Sequence, residues 1–267
     1  MKKQLLATAV LAVLSLNVAY AYQAELNGYV GGASINDSPD DVSQLVTGVS
    51  MTGYLEPVST RNGPLAEAGF INHASNATLS YDYNQYTQSG TDDIKFQTLG
   101  AGAEFYVPQS ILYLSVFGAH TDANFHKGDE NHYGAEIGIL PIPNLLLTVG
   151  AAVVDDSVHN ETDPTIRAKW LTQLYTGNSV NVEANARFGD HSNAYGVRGD
   201  LYLDRTFSVG AGYDAKTLKD SEDPYQLWNI NARKFITPNV SVGASLISGK
   251  SYGADSFGGA LNGTLRF

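Results

Sequence analysis

The sequence predicts an all-β protein, a transmembrane antiparallel up-and-down β-barrel of about 14 strands, with about 16 as the alternative count. Three observations predict it. Apolar and polar residues alternate with a period of two in segment after segment. The pattern is cleanest over 255–267, where Phe257, Gly259, Leu261, Gly263, Leu265 and Phe267 are apolar or lack a side chain, and Ser256, Ala260, Asn262, Thr264 and Arg266 fall between them. The connections also alternate, one kind short and rich in Pro, Asn or Ser, the other longer and acidic. Finally, beyond the first residues no run approaches the ~20 apolar residues of a membrane helix, and the mean hydropathy is slightly negative, as strands with one polar face require.

Met1-Lys2-Lys3, an apolar run from Leu5 to Leu16 and the box Ala19-Tyr20-Ala21 read as a secretory signal peptide over 1–21, cleaved after Ala21. Its apolar run is too short to span a bilayer. The barrel is expected over 22–267. Tyr22, Ala24, Leu26, Gly28 and Val30 alternate with Gln23, Glu25, Asn27 and Tyr29, so the first strand starts at the cleavage site and leaves no room for an amino-terminal plug. An acidic loop is expected over 34–41. A second strand follows, Val49, Met51, Gly53 and Leu55 against Ser50, Thr52, Tyr54 and Glu56, ending at Pro57.

The run 61–75 reads two ways. Pro64 as a first helical residue, with Leu65, Ala66 and Glu67 behind it, supports a short helix. Alternation within Ala66, Ala68 and Phe70 supports a strand with a slip of phase near Ser75, and the strand is the favoured expectation. After a polar, aromatic strand over 78–86 and a loop over 89–93, the repeat becomes regular. Short turns are expected at 108–110, 141–144, 176–179, 204–206 and 237–239, and looser loops at 122–131, 155–163, 189–193, 219–224 and 250–255. Between them Val180, Val182, Ala184 and Ala186 oppose Asn181, Glu183, Asn185 and Arg187, and Trp228 and Ile230 oppose Asn229, Asn231 and Arg233. The alternation blurs only at 145–154, where both faces are apolar. Phe105, Tyr106, Tyr175, Phe207, Phe235 and Phe267, next to short turns, would form an aromatic girdle at one membrane interface.

The inner positions would carry both signs of charge: Glu25, Glu56, Glu104, Glu136, Glu183, Asp200 and Asp214 against Arg167, Lys169, Arg187, Arg198, Lys216, Arg233 and Arg266. The net charge is −11, from 16 Lys and Arg against 27 Asp and Glu, so the acidic excess belongs to the loops, and nucleic acid is excluded as a partner. Acidic loops fit either a vestibule that enriches cations or a surface that bridges lipopolysaccharide through divalent ions. Opposed charges across the lumen fit a pore for polar solutes; paired into ladders they would plug it.

No cysteine is present, which removes disulfides and thiolate metal sites. Five histidines, His120, His126, His132, His159 and His191, fall at the loop rim without close ligand spacing, so no metal is expected. A hydrolase could be assembled only from ordinary pairs such as Ser115 with His120. Gly249-Lys250-Ser251 lacks the first glycine and the helix of a phosphate loop. No catalytic residue and no cofactor are called for.

The runs Glu56-Pro57-Val58 and Gly63 through Ser75, with the terminal Leu265-Arg266-Phe267, resemble the putative general bacterial porin family of Gram-negative outer membranes. The resemblance implies passive transport of small solutes and no catalytic residues. Leu261, Leu265 and Phe267 resemble the signal read by the barrel-assembly machinery. A long inward-folding third loop, which in trimeric general porins forms the constriction, is lacking here. The reading is therefore a pore in the outer membrane, with lipids, lipopolysaccharide, the assembly machinery and small solutes as partners and monomer or trimer left open. The rival is a closed structural or surface-binding barrel.

Overall fold

The computed structural model describes residues 21–37, 40–125, 129–156, 160–219, 225–251 and 253–267. Its strands are β1 Ala21–Asp37, β2 Asp40–Ser59, β3 Asn76–Gln88, β4 Ile94–Tyr106, β5 Leu112–Ala123, β6 Glu130–Ile142 and β7 Leu145–Asp156. They continue as β8 Asn160–Gln173, β9 Ser179–Phe188, β10 Ser192–Tyr202, β11 Phe207–Leu218, β12 Tyr225–Thr237, β13 Val240–Ser251 and β14 Ala254–Arg266. Each strand pairs antiparallel with its neighbours in sequence, and β1 pairs with β14, so the 14 strands form one closed barrel. Closure leaves no sheet edge, which is the condition for crossing hydrocarbon with strands.

The seam joins the two ends of the sequence. Glu25 lies opposite Arg266, Asn27 opposite Thr264 and Tyr29 opposite Asn262. The amides of Gln23 and Ala24 donate to the Phe267 carbonyl at 2.9 and 2.8 Å, and the Phe267 amide donates back to Ala24 at 3.0 Å. Outside, the expected apolar set faces away from the protein: Leu79, Leu99 and Leu261 are each 64% exposed and Trp228 and Phe257 62%. A continuous belt of this kind is a liability in water and is satisfied by lipid.

The run 61–75 is not a strand. β3 begins at Asn76 and pairs directly with β2, so the run has no sheet neighbour. It folds instead into a 3-10 turn, Leu65–Glu67, and a short helix, α1, Ala68–Ile71. Its backbone is satisfied locally: the amides of Asn72, His73 and Ala74 donate to Ala68, Phe70 and Gly69. Gly63 enters the turn at φ +66°, and a Cβ there would sit 2.6 Å from Ile71 Cδ1. Both facts favour glycine at that position.

The blurred stretch 145–154 is explained by the same run. Leu147 and Val149 face outward, while Leu146 is buried inside the barrel in one cluster with Phe70 of α1. The inner face of β7 is apolar because it packs against protein rather than water.

Two further expectations are corrected. Tyr106 and Phe235 are buried inside the barrel and do not join a girdle, whereas Phe105, Tyr175 and Phe267 are exposed. Aromatic residues near a turn alternate like any others, and even-numbered positions of β4 and odd-numbered ones of β12 point inward. The strands also run further than expected. β1 and β2 span 17 and 20 residues, and Asp155, Glu161 and Asp163 lie in strands where loops were expected. Beyond the lipid both faces of a strand meet water, so hydrogen-bonded pairing continues after the apolar alternation has stopped. Residues 1–20, with Ala19 of the expected cleavage box, lie outside the described residues, as do His126, His159, Asp220, Glu222 and Asp223; Ala21 opens β1 opposite Ser59.

The short β10–β11 turn is pinned by Asp204. Its Oδ1 accepts from the Thr206 hydroxyl and amide, both at 2.6 Å, and from the Phe207 amide at 2.9 Å. These bonds, the hydroxyl first and then the amide, with Lys234 adding to them, hold its carboxyl down to about 2. A depressed carboxyl stabilises the fold above its unfolded value and loses that effect as pH falls through the folded one. Urea midpoints of the wild type and Asp204→Asn should therefore differ at pH 6 and converge near pH 2. A disulfide test applies to the seam. Asn27→Cys with Thr264→Cys, whose native side chains bond at 2.7 Å, should cross-link under oxidation and shift mobility on a non-reducing gel; an uncross-linked pair would contradict closure.

Candidate functional site

The barrel interior is organised around the β2–β3 connection, which folds inward at the short-turn end. Two apolar clusters seat it. Phe70 packs with Tyr106, Tyr113, Leu140, Leu146, Leu171 and Tyr202, while Ala68 and Ala74 pack with Tyr22 and Val58. Polar contacts reach it from distant strands. The Tyr202 hydroxyl donates to Glu67 Oε1 at 2.6 Å, and Lys169 Nζ lies 2.9 Å from Glu67 Oε2 and 4.8 Å from the Phe70 ring centre. Arg266 Nη1 donates to the Leu65 carbonyl at 2.9 Å. On the turn side, the Leu65 amide donates to the Arg205 carbonyl at 2.8 Å, and the Arg205 guanidinium donates to the carbonyls of Gly63 and Thr60.

Around this segment the interior cations are paired. Arg266, its side chain 4% exposed, donates through Nε to Glu25 Oε2 at 2.7 Å and lies between the rings of Tyr22 and Phe235, 4.4 and 4.6 Å from their centres. Arg167 donates to Glu136 at 2.9 and 3.1 Å and to the Tyr113 hydroxyl at 2.9 Å; that hydroxyl donates to Glu104 at 2.7 Å. Arg187 stands 3.5 Å from the buried Asp163. Desolvated charges are tolerated here because each has an opposite partner, with further hydrogen bonds at Arg266 and Arg167, whereas Asp163 Oδ1 has none.

The wall on the other side differs. Glu183, Arg198, Asp200, Asp214 and Arg233, with Lys169, line a cavity of ≈ 490 Å³ whose floor includes Ala66 and Glu67 of the inward segment. Arg198, Asp200, Asp214, Lys216 and Arg233 make no ion pair among the described residues, though Asp200 lies within the field of both Arg198 and Arg233. Glu56, also predicted to face inward, is exposed in the irregular stretch where β1 pairing skips from Gly53 to Val58. The interior thus has a locked half and a half with open charges.

Other candidates are not assembled. Ser115 points into the barrel and His120, five residues along the same strand, points out, where it bonds to Asn131 and Asp122. His191 pairs with Glu161. No group of three His, Asp or Glu suited to a metal occurs among the described residues, and Lys250 lies within β13 rather than before a helix. Sequence reading missed Glu67, Tyr113, Tyr202 and Arg205. A lone carboxylate inside the apolar run from Leu65 to Phe70 was the available signal for Glu67.

Comparisons with known proteins agree with this architecture. The family described as "Putative general bacterial porin" matches residues 1–162. The crystal structure of the outer membrane protein Omp33 from Acinetobacter baumannii is 28% identical, covers 93% of this chain and 99% of its own, and superimposes with a TM-score of 0.71. An outer membrane channel from Pseudomonas putida F1 shares the fold at 12% identity and a TM-score of 0.53, over 95% of this chain and 97% of its own. A comparison with curated protein sequences gave no match.

The Arg266 site yields a stability prediction. Arg266→Ala leaves Glu25, 16% exposed, without its partner and should cost about 3 kcal/mol or more in urea unfolding of the refolded barrel. The double replacement Arg266→Met with Glu25→Gln, which leaves no charge behind, should recover much of the loss.

Proposed function

The chain belongs to the putative general bacterial porin family, and on that premise we propose that it serves as a narrow outer-membrane channel for passive diffusion of small hydrophilic solutes or ions. The observation that carries the reading is the closed barrel with an apolar outer belt and a polar, charge-lined cavity inside it. By the usual sidedness of such barrels the short turns, and with them the inward segment, face the periplasm, and the acidic loops face outward. The narrowest region would then be at the β2–β3 connection. Glu183, Arg198, Asp200, Asp214, Lys216 and Arg233 would set conductance and selectivity, while Glu25, Glu104, Glu136, Arg167, Lys169, Arg187 and Arg266 would shape the wall and hold the segment. The reading needs no catalytic residue.

Export through a cleaved leader over 1–21, with Ala19 and Ala21 at the cut, accounts for delivery. Recognition of Leu261, Leu265 and Phe267 by the assembly machinery accounts for insertion. The outer loop acids would bind lipopolysaccharide through divalent ions. One observation favours a second reading, a closed structural barrel: the segment is anchored by side chains from β8, β10 and β14 at once.

Planar bilayers separate the two. Stepwise currents are expected from the purified full-length mature chain, and silence over many insertions would leave the closed barrel. Arg198→Glu or Arg233→Glu should move the reversal potential toward cations under a salt gradient. Glu67→Ala with Tyr202→Phe, which removes two anchors of the inward segment, should raise the mean conductance.

A further inference from the structure

The unpaired interior charges are not scattered. Strand register places them on successive rows of one wall, formed by β10, β11 and β12. Lys216 shares a row with Ala194 and Tyr225, Asp214 with Gly196 and Leu227, and Arg198 with Gly212 and Asn229; Glu183, across from Arg198 on β9, is turned to Lys169 at 4.0 Å. Asp200 follows with Gly210 and Asn231, and Arg233 with Ser208 and Tyr202. From the loop end toward the inward segment the charges therefore read plus, minus, plus, minus, plus. Successive same-face residues of a strand are about 6.8 Å apart, so each rung is one such step from the next. Elsewhere in the described interior Arg167 closes on Glu136, Lys169 on Glu67, Arg187 on Asp163 and Arg266 on Glu25, while Asp82 accepts a hydrogen bond from the Tyr29 hydroxyl. On this wall none of the rungs forms an ion pair, and the cavity lies against four of them.

In the middle of the wall, glycines leave room that neighbouring polar side chains fill. Asp200 and Asn231 lean over Gly210 from either side, and Asn229 Nδ2 occupies the space 2.6 Å from where a Cβ of Gly212 would be. The glycines let the flanking strands' polar groups converge on one trough. A solute with one charge meets a like charge at every second rung. A solute carrying an ammonium and a carboxylate side by side finds an opposite charge for both between any two rungs, and keeps that arrangement at the next step.

We propose that the β10–β12 wall is a recognition ladder for small zwitterions, α-amino acids in the first instance, with Asp200 and Asp214 taking the ammonium and Arg198 and Arg233 the carboxylate. This names the solute class of the channel and rests on the channel reading for transport, though not for binding. Arg198, Asp214 and Arg233 are exposed and Asp200 is half-buried, so most contacts have the strength of a solvent-exposed ion pair, suited to passage rather than capture.

The test compares L-alanine with its uncharged isomer lactamide on the full-length mature protein. In proteoliposome swelling, alanine should enter about two- to fivefold faster than lactamide, the factor that solvent-exposed ion pairs supply. The ratio should fall to one in Arg198→Gln with Arg233→Gln, and again in Asp200→Asn with Asp214→Asn. Saturation-transfer NMR on the detergent-solubilised barrel gives the second readout. Alanine should receive saturation that propionate, ethylamine and lactamide do not match, and both double variants should lose it. These side chains make no ion pair, so folding is checked by gel mobility of the unheated barrel. Equal rates and equal saturation for alanine and lactamide would overturn the ladder while leaving the channel intact. Absence of swelling in any solute with selective alanine saturation would overturn the channel while leaving the ladder.

Discussion

Everything in this barrel depends on satisfying backbone hydrogen bonds in a medium that offers none. Inside a bilayer an unpaired amide or carbonyl costs several kcal/mol, so a sheet is viable there only when its first and last strands meet. Here the meeting is between β1 and β14, over a register that runs from Glu25 with Arg266 to Asn36 with Asp255. The same seam fixes where the interior charges stand. Because β14 is in register with β1, Arg266 reaches Glu25, and because Arg266 is held there, its second arm reaches the Leu65 carbonyl. Closure and the seating of the inward segment are thus mechanically one event.

The segment in turn divides the lumen. On its side the interior is built like a soluble core, with seven large apolar or aromatic side chains from Phe70 to Tyr202 in one cluster and buried ion pairs around them. Away from it the wall is polar, glycine-lined and carries charges at row spacing. The first half has the properties of a plug and the second those of a passage. A channel built this way is limited at one end by packing and along its length by charge.

Much of the fold was legible in the sequence. A side chain's face on a strand is a local property, set by parity alone, so Trp228, Ile230 and Leu261 outside, and Arg198, Asp214 and Arg233 inside, followed from a period of two. The turns at 108–110, 141–144 and 237–239 followed from Pro and Asn. What was not legible has a physical pattern. The 61–75 run carries alternation and helical propensity together, and only the absence of a sheet neighbour decides between them. Tyr106 and Phe235 look like interface aromatics by composition, and the parity of their strands turns them inward. Asp163 looks like a loop acid, but pairing continues past the lipid and buries it against Arg187.

The sequence by itself determined a two-faced strand repeat and the sign of charge available on each inner face, because these depend on neighbours one or two residues away; it left the strand count at about 14 or 16. Tertiary structure decided which charges cancel. Lys169 and Glu67, or Arg266 and Glu25, are far apart in the chain and meet only through barrel closure and the inward fold of the β2–β3 connection. Arg198 and Asp200 stand close in sequence and form no ion pair, although the two-residue spacing along a strand permits contact, as Asn27 and Glu25 show at 3.1 Å. The distinction between a locked charge and an open one is a matter of register between strands.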